Sequence, residues 1–245
     1  MNKRLSFIIF IFLFFLALLG VRVSLSSSGD ITIQPNPIYV GAFFNGTSVK
    51  ITGNVPEECD VIVKITSSKD RLVFRKKGRI GILWMNVGEI HFDQVYSLYH
   101  LYSSAPFSKM GLTKWSLLKE LELGYQVLEK NALISPSGLD NSQIFKDFLK
   151  LKKKEGLYTI QIGKVKFLDL KKTFKSFELN FWLPPNVHIG DYQVEIFGIK
   201  RGNVLTNIKK NLSIQKTGLV ASIYSLAMDH GVLSVSYTHL TLPTN

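Results

Sequence analysis

The sequence predicts a mainly β fold with a helical insertion, arranged as an immunoglobulin-like β-sandwich, in one sandwich or two. Three observations carry this expectation. Apolar and polar residues alternate in short runs, as half-buried strands require. Turn signals recur about every 8–12 residues, the spacing of sandwich strands. Between these runs lies one stretch whose apolar residues recur at helical spacing.

Residues 31–103 form the first β segment. Ile31, Thr32 and Ile33 lead into Pro35-Asn36-Pro37, a rigid extended break. Ile38-Tyr39-Val40 resumes a strand, and Asn45-Gly46 is a strong turn signal before the alternating Val49 and Ile51. Val61, Val63 and Ile65 repeat the alternation. Ser67 to Asp70 reads as a turn and Leu72 to Phe74 as a strand. Ile80 to Met85 and Glu89 to Phe92 read as short strands around Gly78, Gly81 and Gly88. Tyr96, Tyr99 and Tyr102 recur every third residue, as one turn of a helix gives, and predict a helical stripe laid on a sheet.

Residues 104–156 form the helical insertion. Leu117, Leu118, Leu121, Tyr125 and Leu128 predict one helix, and Ile144, Phe145, Phe148 and Leu149 a second, joined near Ser135-Pro136-Ser137-Gly138. Asp140 with Gln143 makes a capping box for the second helix. Lys150, Lys152, Lys153 and Lys154 crowd its last turn, where the helix dipole favours cations. Gly156 closes it as a left-handed cap.

Residues 157–216 form the second β segment, with an immunoglobulin-like ending. Phe177, Leu179, Phe181 and Leu183 alternate until Pro184-Pro185 stops the strand. Gly190-Asp191 opens the next, with Tyr192, Val194 and Ile196 on one face. Lys200-Arg201-Gly202-Asn203 turns the chain into a closing strand with Leu212 and Ile214. The second segment is short for an independent seven-strand domain, which favours packing of the two halves together.

The ends carry topology. Lys3 and Arg4 precede sixteen uncharged residues, Leu5 to Gly20, and Ser24-Leu25-Ser26 supplies small residues for cleavage. Residues 1–26 therefore read as a signal peptide, with an uncleaved N-terminal anchor as the alternative. Residues 217–235 read as the start of a membrane-proximal or transmembrane helix, truncated, and 236–245 as a non-native tail without charge or period. Export places the protein in the cell envelope, on the periplasmic side of the inner membrane.

The chain has a net charge of +12, concentrated in two stretches. Lys64 to Arg79 holds seven basic residues against Asp70, and Asn141 to Ser176 holds ten lysines against three acids. A solvated lysine-rich face explains this simply, and anionic lipid headgroups are the sharper alternative. Nucleic acid is excluded as a partner: an exported protein rarely meets it, and no nucleic-acid-binding motif occurs. The single cysteine, Cys59, rules out an internal disulfide and reads as a half-buried thiol at the start of a strand.

Candidate chemistry is sparse. The five histidines show no metal-ligand spacing, and no cofactor is expected. His91 and Asp93 share a strand face and are the nearest approach to an acid–base pair. Lys76-Lys77-Gly78-Arg79-Ile80-Gly81 lacks the order of a phosphate loop and reads as a glycine-bearing hairpin with a basic rim. Trp84 and Met85 read first as core. If exposed, Lys76, Lys77, Arg79, Trp84, Met85 and Asn86 would form a partner-binding hot spot, an aromatic flanked by cations. No catalytic residue is expected.

Four stretches resemble one family: Pro37 to Thr47, Lys76-Lys77-Gly78 through Leu83-Trp84-Met85-Asn86, Phe145 to Tyr158, and Ser225-Leu226-Ala227 with His230. Across Ile31 to Leu233 the chain is similar to an uncharacterised bacterial family, of alphaproteobacterial type, named putative transmembrane protein. The resemblance implies a signal peptide, a periplasmic β-rich region and a single C-terminal span, and association with permeases resembling sulfite exporters. It implies topology and no reaction. The expectation is a non-enzymatic envelope module, accessory to an integral membrane partner. A periplasmic small-ligand-binding module and, third, an enzyme are the alternatives. An exposed patch around Trp84 would favour the first, and a cleft between the insertion and the second β segment the second.

Overall fold

Two sheets bury a shared core, and strands from both β segments pair within each of them. The structure, a computed structural model, describes residues 31–80, 82–136, 140–170 and 174–218. The first sheet is ordered β1 (Thr32–Gln34), β3 (Thr47–Pro56), β11 (Phe174–Leu183) and β10 (Lys166–Leu170). The second is ordered β2 (Ile38–Val40), β13 (Asn203–Lys216), β12 (Gly190–Lys200), β4 (Asp60–Thr66), β7 (Tyr99–Ser103) and β9 (Tyr158–Ile162). The antiparallel pairings β3 with β11 and β4 with β12 cross between the segments, so the halves form one sandwich rather than two. The Pro35-Asn36-Pro37 break has a clear role: it moves the chain from β1 in one sheet to β2 at the edge of the other.

Alternation explains the core. Val49, Ile51 and Val55 of β3 and Phe177, Leu179, Phe181 and Leu183 of β11 are buried, while their sequence neighbours are more exposed. They meet the second sheet directly: the Phe181 ring lies 5.5 Å from that of Tyr102 and 5.9 Å from that of His100, both on β7. Every residue of β7 is buried, which means both faces of that strand are covered. Cys59 is fully buried rather than half-buried, and burial raises its thiol pKa.

The insertion supplies the second cover, packing on the outer face of the second sheet. Among the described residues it holds three helices: α1 (Trp115–Glu120), α2 (Tyr125–Asn131) and α3 (Asn141–Lys154). The single helix expected through Leu117 to Leu128 is broken at Glu122 and Gly124, which have positive φ of 54° and 102°. The break is held from below. The Tyr99 hydroxyl donates to Glu122 O (2.8 Å) and accepts from Gly124 N (2.9 Å). The Glu122 carboxylate takes Lys69 Nζ (2.6 Å) and the Tyr96 hydroxyl. Tyr96, Tyr99 and Tyr102 therefore do not lie on a helix. They lie at the end of one strand and along the next, on either side of the Ser97-Leu98 corner. Of the capping box expected for α3 only half forms: Asp140 Oδ1 accepts from Gln143 N at 3.1 Å, but the Gln143 side chain donates to Asp147 Oδ1 at 3.3 Å instead of reaching back. Gly156 follows the helix with a φ of 73°, as expected.

A third sheet runs out of the sandwich. β5 (Lys69–Ile80) and β6 (Leu83–Tyr96) form one long hairpin, in place of the short strands expected. β8 (Leu133–Ser135) pairs only with His91 to Asp93, near the hairpin base. Gly78 and Gly88, read as breaks, are absorbed by the ladder. At Gly78 a Cβ would lie 2.8 Å from the Val87 side chain, so the absent side chain leaves room for the residue bulged from β6.

Two close contacts fix the insertion and the last hairpin. Gly202 N donates to Met110 O (2.7 Å), and a Cβ on Gly202 would lie 2.5 Å from Gly111 O. Beneath the insertion, Lys64 and Glu195 are buried and joined at 2.6 Å. Lys64 Nζ also donates to Leu121 O (2.9 Å), and Lys209 reaches the other Glu195 oxygen at 2.7 Å. Burial pushes the Glu195 carboxyl up, but its bonds to Lys209 and Lys64 outweigh this and hold it below the usual carboxylate range. Lys152, expected on a solvated helix end, is buried too, 5.9 Å from the Phe74 and Phe148 ring centroids and 3.9 Å from Glu155.

The predicted leader (1–26), most of the membrane-proximal segment (217–235) and the tail (236–245) lie outside the described residues. Among the described residues no helix is long and apolar enough to cross a membrane.

Removing one partner of a buried pair leaves the other charge uncompensated. Glu195 keeps Lys209 when Lys64 is lost, so the decisive change is Glu195→Met, which leaves the buried Lys64 without its carboxylate and should lower the unfolding free energy of the full-length protein by about 3 kcal/mol. Lys64→Met combined with Glu195→Met should recover most of the loss. Urea unfolding of the two variants checks this, and equal losses in both would disprove the pairing argument.

Candidate functional site: the distal hairpin and an edge cleft

The distal half of the hairpin gathers the predicted contact residues. Register pairs Lys77 with Asn86, Gly78 with Met85 and Arg79 with Trp84, while Lys76 stands opposite Gly88. All six predicted residues therefore fall within one short length of two-stranded ladder. The side chains of Lys76 and Trp84 lie outside the described residues. Met85 is half-exposed rather than core, and Lys77, Arg79 and Asn86 are exposed.

Sequence reasoning missed the apolar character of this tip. Ile82 is 86% exposed, Leu83 61% and Val87 45%. Leu83 pairs in the ladder, Ile82 sits in the turn and Val87 in the bulge, and among the described residues no layer faces their side chains. From Arg75 to Gly88 the chain carries four cations and no acid. Nearer the base the charges are neutralised: Arg75 meets Glu89 at 3.6 Å, and Arg71 makes two hydrogen bonds to Asp93, at 2.5 and 3.3 Å. Those bonds hold the Asp93 carboxyl below its usual range. Asp93 is thus committed to Arg71 and does not form an acid–base pair with His91. Among the described residues no group of three metal-ligating side chains assembles.

The base of the hairpin anchors the tip. Phe148 of α3 meets Phe74 edge-on and stacks on Phe92, at centroid distances of 5.6 and 4.5 Å. Between hairpin and helix runs an apolar groove of about 460 Å³, lined by Phe74, Ile90, Phe92, Ile144, Phe148 and Leu151, with Asp140 and Asp147 at its margin.

A second concavity lies where the two sheets part. β10 pairs with β11 only as far as Glu178, which leaves β11 open from Leu179 to Leu183. β9 is the end strand of the opposite sheet, and a cleft of about 430 Å³ separates the two edges. Trp182, Asn180, Gln161, Thr159 and Lys164 line its walls, and Tyr102 and Phe181 its floor. The floor is a fixed relay. His100 Nε2 lies 2.8 Å from Gly156 O, a pure acceptor, so Nε2 carries the proton. Nδ1 is then the acceptor, and the Tyr102 hydroxyl, 3.2 Å away, donates to it. Burial lowers the His100 pKa to about 4, opposed by the bond to Gly156, so the ring is neutral near pH 7.

A family model described as Putative transmembrane protein (Alph_Pro_TM) matches residues 30–241. The chain belongs to this family. The match spans every described element of the family member, hairpin and cleft alike. No curated protein matches the sequence.

The His100 shift sets a pH dependence. Its folded pKa lies below the unfolded value of about 6.5, so the unfolded chain binds the extra proton first as pH falls. Stability is complete above about pH 6.5 and declines toward pH 4, by up to about 3 kcal/mol from this residue. His100→Gln, which keeps a hydrogen-bonding side chain but does not titrate, should flatten that part of the profile. Urea midpoints measured from pH 7 to 4 decide it: an unchanged slope in the variant counts against a buried neutral imidazole.

Proposed function

We propose that this family member is a non-enzymatic cell-envelope protein. It is exported by its N-terminal segment, held on the periplasmic side of the inner membrane, and accessory to an integral membrane partner, a permease resembling sulfite exporters. The observation that carries the reading is the hairpin tip, where Ile82, Leu83, Met85 and Val87 stand exposed beside Lys77 and Arg79. A contiguous exposed apolar patch rimmed by polar groups marks an interaction surface. Apolar side chains flanked by cationic groups suit contact with a partner. The family's transmembrane description supports a membrane setting.

The strand order supports the immunoglobulin-like reading of the sandwich. β1-β3-β11-β10 follows the ABED order, and β4, β12 and β13 fill the places of C, F and G. Such sandwiches commonly present binding surfaces on inserted loops, and here the β5–β6 hairpin and the helices are the insertions. A ligand-binding module is the second reading, favoured by the cleft between β9 and β11.

Affinity capture of the full-length protein from membranes tests the first reading. Recovery of an integral membrane permease is expected, and Leu83→Asp with Met85→Asp should cut it by about tenfold or more, as loss of an interface hot spot does. Recovery unchanged by the tip variants, or no membrane protein recovered at all, would remove the proposal.

A further inference from the structure

The cleft between β9 and β11 has the composition of a saccharide site. Its exposed apolar surface is the Trp182 ring, which is 56% exposed and braced from behind. A Cβ on Gly46 would meet the Trp182 ring at 2.5 Å, and Gly46 has a φ of 93°. The Gly46 backbone thus lies directly against the indole and limits its movement, leaving much of the ring to solvent. A flat, preorganised aromatic surface beside hydrogen-bonding groups suits a pyranose, whose C–H face meets the electron-rich ring while its hydroxyls turn outward.

The polar groups are placed to match. Asn180 Nδ2 is engaged by Glu178 Oε1 at 2.6 Å, so its carbonyl oxygen remains to accept from a ligand. The Tyr102 hydroxyl spends its proton on His100 and keeps acceptor capacity at the floor. Thr159 and Ser48 carry hydroxyls that both donate and accept, and Gln161 and Lys164 add donors at the exposed margin. A ligand rich in hydroxyl groups satisfies such a mixed set, because each hydroxyl can donate to one group and accept from another. The volume, about 430 Å³, falls within the range of small-ligand pockets, about 300–1,000 Å³.

We propose that the cleft bounded by Trp182, Asn180 and Gln161, with Tyr102 at its floor, binds a saccharide. The site is separate from the hairpin tip and does not depend on the partner reading.

Two trisaccharides serve as probes on the full-length protein: the N-acetylglucosamine trimer and maltotriose. Saturable binding of at least one is expected, seen as a change in tryptophan emission and independently as heat in titration calorimetry. Trp182→Ala should weaken it by about tenfold or more, and Trp182→Phe should retain part of it. Asn180→Ala with Gln161→Ala, both exposed positions, should also weaken binding while leaving circular dichroism unchanged, so the outcome does not rest on the tryptophan variant alone. The proposal is overturned if neither trisaccharide binds, or if both cleft variants bind as the wild type does. It is also overturned if the cleft instead takes an extended peptide that the trisaccharides do not displace. Because Leu83→Asp with Met85→Asp lies on the hairpin, it should leave saccharide binding intact.

Discussion

Strand pairing between the two halves of the chain is the constraint on which the rest of the molecule depends. β3 joins β11 through ten register pairs and β4 joins β12 through seven. Each sheet thus contains strands from both sides of the helical insertion. Neither half could bury its apolar face alone, because each lacks the central neighbours that complete its ladder. The insertion and the hairpin are consequently excursions from a frame closed by the strands that flank them in the chain. They are free to carry surface features that the core does not need.

The same frame explains why β7 is so deeply buried. Phe181 and the first sheet cover one face, through His100 and Tyr102. The insertion covers the other, through Tyr99 and its bonds to the Glu122–Gly124 break. Polar groups buried on either face must be satisfied, because each unpaired one costs about 1–3 kcal/mol. The Lys64–Glu195 pair and the Tyr102–His100–Gly156 relay both meet this requirement. The relay has a further effect. By spending the Tyr102 proton inward, it determines which hydrogen-bonding role the floor of the edge cleft can play.

The hairpin follows the opposite logic. Its base is held by Phe74, Phe92 and Phe148, so the distal ladder extends from a rigid support. Beyond that support no layer covers the apolar side chains among the described residues. Burial of their surface stabilises a complex by about 25 cal/mol per Å², which the isolated fold forgoes. The surrounding cations oppose association between copies of this surface and favour partners carrying the opposite sign.

Much of the sandwich was legible in the sequence because alternation is a local consequence of pleating. Val49 and Ile51, Phe177 to Leu183, the Arg201-Gly202 turn and the Asp140 cap each depend on near neighbours, and each lies where the pattern places it, whereas the turn expected at Asn45-Gly46 falls earlier, where Phe44 N donates to Gly41 O at 3.1 Å. What failed depended on distant groups. The tyrosine triplet has helical spacing only because a corner falls inside it, and the break at Glu122 is held by Tyr99 and Tyr96 from another element. Lys152 looks like any helix-end lysine until Phe74, nearly eighty residues earlier, closes over it. Of the six contact residues, the basic rim was visible as a charge run. The edge cleft was not, because Tyr102, Gln161 and Trp182 meet only where two sheets part. The sequence by itself determined the β class, the two segments and their turns, since pleat periodicity and backbone conformation are properties of neighbouring residues. Only the tertiary structure decided which strands share a sheet, which charges are buried and which surfaces are left open, since those depend on pairing across the whole chain.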